Sequence, residues 1–153
     1  MSTDIVTDNV TEGGTRQLVA FTLGEEEYGI PITLVQEIIR FAPPRPIPGS
    51  SVHVEGVINL RGRIIPVIDL KDRFDIQSDA EDTKIVIVEL DETTVGVIVD
   101  EVKEVITINT SDTEPAPTGV ASASSEYIDS VAKLEGRLLV ILNLSQLFGE
   151  VSF

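Results

Sequence analysis

One stretch of this chain occurs twice. Val57 to Phe74 (VINLRGRIIPVIDLKDRF) lies without a gap on Val131 to Phe148 (VAKLEGRLLVILNLSQLF), and six of the eighteen positions are identical, where average residue usage would give about one. A second gapless match sets Gln17 to Ile39 on Lys84 to Ile106, pairing Leu23 with Leu90, Glu25 with Glu92, Gly29 with Gly96, Val35 with Val102, Glu37 with Glu104 and Ile39 with Ile106. The chain is therefore one structural unit used twice. Each copy, at about 60 residues, is marginal as an independent fold. The expected solution is two small barrels, 17–82 and 83–153, packed together with some exchange of strands and a groove between them.

Each copy of the first repeat reads as strand, turn, strand and short helix. Arg61-Gly62 and Glu135-Gly136 are turn pairs whose glycines can take the positive φ of a tight hairpin. Asp69 and Asn143 stand at equivalent positions ahead of Leu70 to Phe74 and Leu144 to Phe148, where a short polar side chain caps the first N–H groups of a helix.

The rest of the pattern is also short and β-rich. Runs at 18–23, 28–32, 54–60, 63–68, 85–90, 95–99, 105–108, 130–134 and 137–142 predict strands, and strands so short and closely spaced imply a small barrel or sandwich. Ile32, Val35, Ile38 and Ile39 fit one helical face for about two turns, before Pro43, Pro44, Pro46 and Pro48 forbid continuation. Three segments escape the repeat: 1–16, the acidic link 75–83, and the Pro-, Ser- and Ala-rich loop 109–125. The first and last are expected to be mobile.

Composition narrows the function. Hydrophobic content of 42% indicates a folded chain. A formal charge of −15 opposes phosphate backbones, so nucleic acid is not an expected partner. No apolar run suggests a membrane span or a secretion signal, and without cysteine there is no thiolate chemistry. These features point to a cytoplasmic location.

No catalytic set is apparent. His53 is the single histidine and lies between Val52 and Val54 with no cysteine and no Asp-His pairing motif nearby, so it reads as structural or surface. Asp79, Glu81 and Asp82 lack the glycine turn and spacing of a calcium loop, and read as solvated charges. Ser130-Val-Ala-Lys133 matches the Ser-x-x-Lys pattern, but that pattern needs a helix and here it enters a strand. Gly13-Gly14 is an isolated pair, not a phosphate loop. Neither a metal nor a cofactor is expected, and the chain does not read as an enzyme.

The runs QLVAFTLGEEEYGI from Gln17, VQEI from Val35 and VEGVINLRGRIIPVIDL from Val54 resemble the CheW family of chemotaxis coupling proteins. The likeness continues through VGVIVD from Val95 and Pro115 to Pro117, reaching Leu147-Phe148. It implies an all-β fold of two SH3-like five-stranded β-barrels packed together, over a CheW-like domain at 17–153 behind a flexible tail at 1–16. It also implies a non-enzymatic adaptor with two partners: the regulatory domain of the CheA histidine kinase and the cytoplasmic tip of chemoreceptors. Such an adaptor has no membrane insertion of its own and is recruited to membrane-associated receptor arrays. A coupling protein for surface motility or development is the alternative within this class.

By the family's pattern, Val35, Glu37, Gly56, Val57 and Arg61 match the region of receptor and kinase coupling. Arg61 also stands out independently, because its repeat counterpart is Glu135 whereas Gly62 and Arg63 recur as Gly136 and Arg137. A shared residue serves the hairpin, and a diverged one is free to serve a partner. Gly62 reads as structural, Val35 as core on spacing alone, and Glu37 is open between a solvated edge and a contact. The chain departs from the family at Glu114 and Gly119, where a basic and an aromatic residue can flank the Pro115–Pro117 motif.

Overall fold

The computed structural model describes residues 14–49, 54–79, 83–115 and 125–149. Eleven strands and two short helices occur among them. The first half contributes β1 (Thr15–Leu23), β2 (Glu26–Pro31), β3 (Val35–Arg40), β4 (Gly56–Leu60), β5 (Arg63–Asp69) and α1 (Leu70–Arg73). The second contributes β6 (Lys84–Leu90), β7 (Thr93–Val99), β8 (Glu101–Asn109), β9 (Thr113–Glu114), β10 (Ile128–Leu134), β11 (Arg137–Leu142) and α2 (Leu144–Phe148). The fold is all-β, in two curled sheets.

Each sheet draws strands from both halves. One has the order β8-β1-β2-β11-β10-β9 and the other β3-β6-β7-β5-β4. The repeat relates them: β1 and β2 of the first copy sit among the later strands of the second, and β6 and β7 do the converse. The parallel junctions have equivalent register, Ile141 opposite Gly29 in one sheet and Val67 opposite Gly96 in the other. The six-stranded sheet differs only by the two-residue β9.

Burial follows from the period-two alternation of strands. On β1, Val19, Phe21 and Leu23 face a core shared by the two sheets, and Val86, Val88, Val95 and Val97 meet them from the other side. Leu18 and Ala20 face the hollow of their own sheet with Leu139 and Ile141. Their repeat counterparts Ile85 and Ile87 do the same with Ile65 and Val67. Strands buried on both faces must be apolar throughout, which explains the continuous runs LVAF and IVIV. Rings run through the shared core: Phe21 on Tyr28 at 6.2 Å, Tyr28 on Phe74 at 5.9 Å and Phe74 on Tyr127 at 6.0 Å. Arg73 lies over the Tyr127 ring at 4.6 Å.

Both helix caps form as expected. Asp69 accepts from Lys71 N–H at 3.0 Å, and Asn143 from Gln146 N–H at 3.3 Å. The expectation of a helix after Ile32 is corrected. One 3-10 turn spans Ile32–Leu34, and Val35–Arg40 is an edge strand antiparallel to β6. Two apolar pairings in five residues imitated a helical face, whereas the alternating exposure of Val35 to Arg40 is that of a strand. The ordered region also extends further than expected at two places. Thr15 and Arg16 belong to β1 and pair with β8, and Thr113–Glu114 pair with Ala132 and Val131. Most of 1–16 and of 109–125 lies outside the described residues.

Candidate docking site around Arg61 and Glu37

Five residues were expected to form one functional region, and all five lie on the five-stranded sheet, divided between its two edges. Val35 and Glu37 belong to β3, while Gly56, Val57 and Arg61 belong to β4 and the turn after it. The curl of the sheet brings the edges together at the β4–β5 turn, where the Arg61 guanidinium forms an ion pair with the Glu37 carboxylate.

The turn is built to present that side chain. Arg61 and Gly62 both take positive φ, 52° and 88°, as a two-residue turn of mirror-image type requires. Asn59 closes it by accepting from Gly62 N–H at 2.9 Å. For a residue with a Cβ the left-handed region costs roughly 1 kcal/mol. The repeat turn avoids it, for Gly136 has φ 71° but Glu135 is not left-handed.

Repeat divergence accounts for the ion pair. In the six-stranded sheet Glu104, the counterpart of Glu37, is met by Arg137 at 3.0 Å, which also holds Glu27 at 2.7 Å. Hydrogen bonding from Arg137 to Glu27 keeps that guanidinium more firmly protonated than usual. In the five-stranded sheet Thr94 replaces Glu27, and Arg63 donates to its hydroxyl at 3.0 Å. Glu37 is then paired by the cation that stands in the turn. Glu135 at the equivalent place has no such role.

Gly56 and Val57 act through the backbone. Between Pro43 and Pro48 only Arg45 and Ile47 carry a backbone N–H. Arg45 N–H donates to Val57 C=O at 2.8 Å, and Val57 N–H donates back to Arg45 C=O at 2.9 Å. The proline segment thereby covers part of the open edge of β4. A Cβ on Gly56 would stand 2.5 Å from the Arg45 oxygen, so glycine is required for this approach. Val35 is half-buried against the shared core, a packing role, and a register shift between it and Glu37 marks a bulge.

Exposed apolar side chains occur on the same sheet as the charged pair. Among the described residues, six large hydrophobic side chains are exposed, and Ile38, Phe41, Ile47 and Ile64 belong to β3, the proline segment and β5. Ile64 is 62% exposed. Sequence reasoning missed these exposed residues, although on β3 the strand alternation places Ile38 outward between half-buried Glu37 and Ile39.

The motifs dismissed earlier have ordinary partners. Ser130 and Lys133 lie on β10, with the Ser130 hydroxyl on Asp129 at 3.3 Å and the Lys133 ammonium on Glu114 at 3.1 Å. No group of three or more His, Cys, Asp or Glu side chains suited to a metal occurs among the described residues. His53, Glu81, Asp82 and Gly119 lie outside them. No helix among the described residues is long and apolar enough to cross a membrane.

The family model for the CheW-like domain matches residues 17–152. The chain belongs to the CheW family. It is 36% identical to the chemotaxis protein CheW of Treponema pallidum, over 86% of this chain and 81% of that protein. It is also 36% identical to the chemotaxis protein CheW of Bacillus subtilis, over 89% of this chain and 88% of that one. The crystal structure of the scaffolding protein TtCheW from Thermoanaerobacter tengcongensis superposes with a TM-score of 0.77 at 39% identity, covering 84% of each chain. Two packed barrel-like sheets are thus the family architecture, and the repeat is how this CheW-family chain builds it.

Proposed function

We propose that this chain is a non-enzymatic adaptor that couples chemoreceptors to the CheA histidine kinase, with the Arg61–Glu37 surface as a principal docking site. One observation carries the reading. An exposed ion pair joins the two edges of a sheet, on a strained turn, and β3, β5 and the proline segment of that sheet also carry exposed apolar side chains. Interfaces are enriched in arginine and in apolar contacts at their centre, and a guanidinium fork held by one carboxylate still has donors for a partner's carbonyls or carboxylates.

Each residue has a part in this. Glu37 orients the Arg61 guanidinium, Arg61 contacts the partner, Gly56 and Val57 lock the proline segment to β4, and Val35 anchors β3 to the core. The receptor tip and the kinase regulatory domain are the two partners. The adaptor is cytoplasmic and reaches the membrane only through receptors. Membership in the CheW family and the lack of an assembled acid, base or nucleophile among the described residues support a binding role over catalysis.

The test is calorimetric titration of the purified chain with a CheA regulatory domain and a receptor cytoplasmic tip from the same organism. Arg61→Glu is expected to weaken one of the two by roughly tenfold or more, with an unchanged circular dichroism spectrum. Unaltered binding to both would remove Arg61 from the site, and failure of the parent chain to bind either partner would overturn the adaptor reading.

A further inference from the structure

A second site lies away from Arg61. A cavity of about 300 Å³ is lined by Arg16, Pro31, Thr33, Leu34, Leu90, Asp129, Leu142, Asn143, Leu144 and Ser145. Its apolar wall is Leu34, Leu90, Leu142 and Leu144, and its polar groups come from β1, β10, the 3-10 turn after β2 and the start of α2. Arg16 is nine-tenths buried, and among the described residues its one ion-pair partner is Asp129, with Nη1 3.1 Å from Oδ2. The Arg16 Nε is buried with no hydrogen-bond partner among them. A buried guanidinium with one carboxylate and a buried, unpartnered Nε–H is an expensive arrangement.

The repeat shows what such a cleft contains when it is full. Thr33 and Ser145 correspond to Asp100 and Lys71 of the other copy. There the fold fills the space itself: the Lys71 ammonium lies 2.7 Å from Asp100 Oδ1, and Oδ2 accepts from Ser78 Oγ at 2.7 Å and Gly24 N–H at 2.8 Å. At the Arg16 cavity both long charged side chains have become short hydroxyls. The carboxylate is missing, and a cation has entered from β1.

From this difference in side chains between the two copies, we infer that the Arg16 cavity binds a small aliphatic carboxylate. The ligand's carboxylate takes the place that Asp100 holds in the other copy, received by Arg16 with Thr33, Asn143 and Ser145 beside it. Its aliphatic body lies on Leu34, Leu90, Leu142 and Leu144. A cavity of this size suits a small molecule, and an occupant touches both sheets at once.

The probe is 4-methylpentanoate, titrated into the isotope-labelled full chain and followed by amide shifts. Saturable shifts at Leu34, Leu90 and Leu144 are expected, with a Kd of roughly 1 mM for so small a ligand. The alcohol 4-methylpentan-1-ol, with the same body and no charge, is expected to bind roughly tenfold more weakly. Arg16→Met removes the cation, and Ser145→Phe blocks the cavity from its exposed rim without touching the Arg16–Asp129 pair, so loss of binding in both, with thermal unfolding of the second unchanged, supports the site. Absence of saturable shifts, equal affinity for the alcohol, or undiminished binding by Ser145→Phe would overturn it.

Discussion

The Arg61 guanidinium, in the turn after β4, and the Glu37 carboxylate, on β3, belong to opposite ends of one sheet's hydrogen-bonding order, yet they are in contact. The pair is exposed, 69% for the Arg61 side chain and 34% for Glu37, so it contributes under about 1 kcal/mol to stability. Charge reversal separates positioning from contact. Arg61→Glu with Glu37→Arg is expected to restore the ion pair, but not partner affinity, because the cation has moved to the other edge. Calorimetry on the two single variants and the double variant checks this, and full recovery of binding in the double would make Arg61 a seam and not a contact.

Two glycines six residues apart should respond very differently to alanine. At Gly56 a Cβ would stand 2.5 Å from the backbone oxygen of Arg45, with φ at 156°, and backbone cannot give way cheaply. Gly56→Ala is expected to cost about 3 kcal/mol or more in urea denaturation and to expose the Arg45 amide to hydrogen exchange. Gly62 has φ 88° but nothing within 4 Å, so Gly62→Ala should cost about 1 kcal/mol.

The repeated glycines at the parallel junctions make a graded pair. A Cβ at Gly96 meets Ile85 Cγ2 at 2.9 Å, whereas at Gly29 the nearest atom is Leu139 Cδ2 at 3.3 Å. Leucine's longer side chain can rotate away, and isoleucine's branch at Cβ cannot. Gly96→Ala should therefore destabilise by roughly 1–3 kcal/mol, and Gly29→Ala by less, measured by the same denaturation.

Acid should reveal the buried Asp100. Burial alone pushes its carboxyl up, but hydrogen bonds from Lys71, Ser78 and Gly24 N–H, together with the Lys71 charge, outweigh that and hold it below the usual range. Its Oδ1 is held by the Lys71 ammonium at 2.7 Å. The folded pKa lies below the unfolded one, so this stabilisation is present above about pH 4 and lost as pH falls through the folded value. Asp100→Asn should cost about 3 kcal/mol at neutral pH, since it strands a largely buried lysine, and should flatten the acid limb. Glu55 and Asp69 have the opposite sign. Burial raises both, with repulsion from Asp69 and Asp72 adding to it at Glu55, so their contribution is present below about pH 4 and lost as pH rises through the raised values. Glu55→Gln should accordingly stabilise slightly at neutral pH. Urea unfolding at several pH values reads both effects.

Much of this architecture was legible because local rules and the repeat agreed. The hairpins at Arg61-Gly62 and Glu135-Gly136 and the caps at Asp69 and Asn143 each rest on a few adjacent residues, and all four formed. Val35–Arg40 is hard to read as a strand because Ile38 is outward yet apolar, which spoils the polar–apolar alternation that marks a strand. Its repeat counterpart, 102–107, overlaps the run 105–108 that already read as β. The Arg61–Glu37 contact was beyond local reading, since it depends on how far a sheet curls. Only the charge difference between Arg61 and Glu135 hinted at it.

The exchange of strands has a consequence for the covalent chain itself. Since β1 and β2 complete the sheet of β8, β10 and β11, while β6 and β7 complete that of β3, β4 and β5, the peptide bonds between the copies close neither sheet. A protease site inserted between Ala80 and Glu81 should yield two fragments that stay clasped through purification and separate only when denatured. Mixing them afterwards should restore the native circular dichroism spectrum, as two hands re-form a handshake after the arms that joined them are cut.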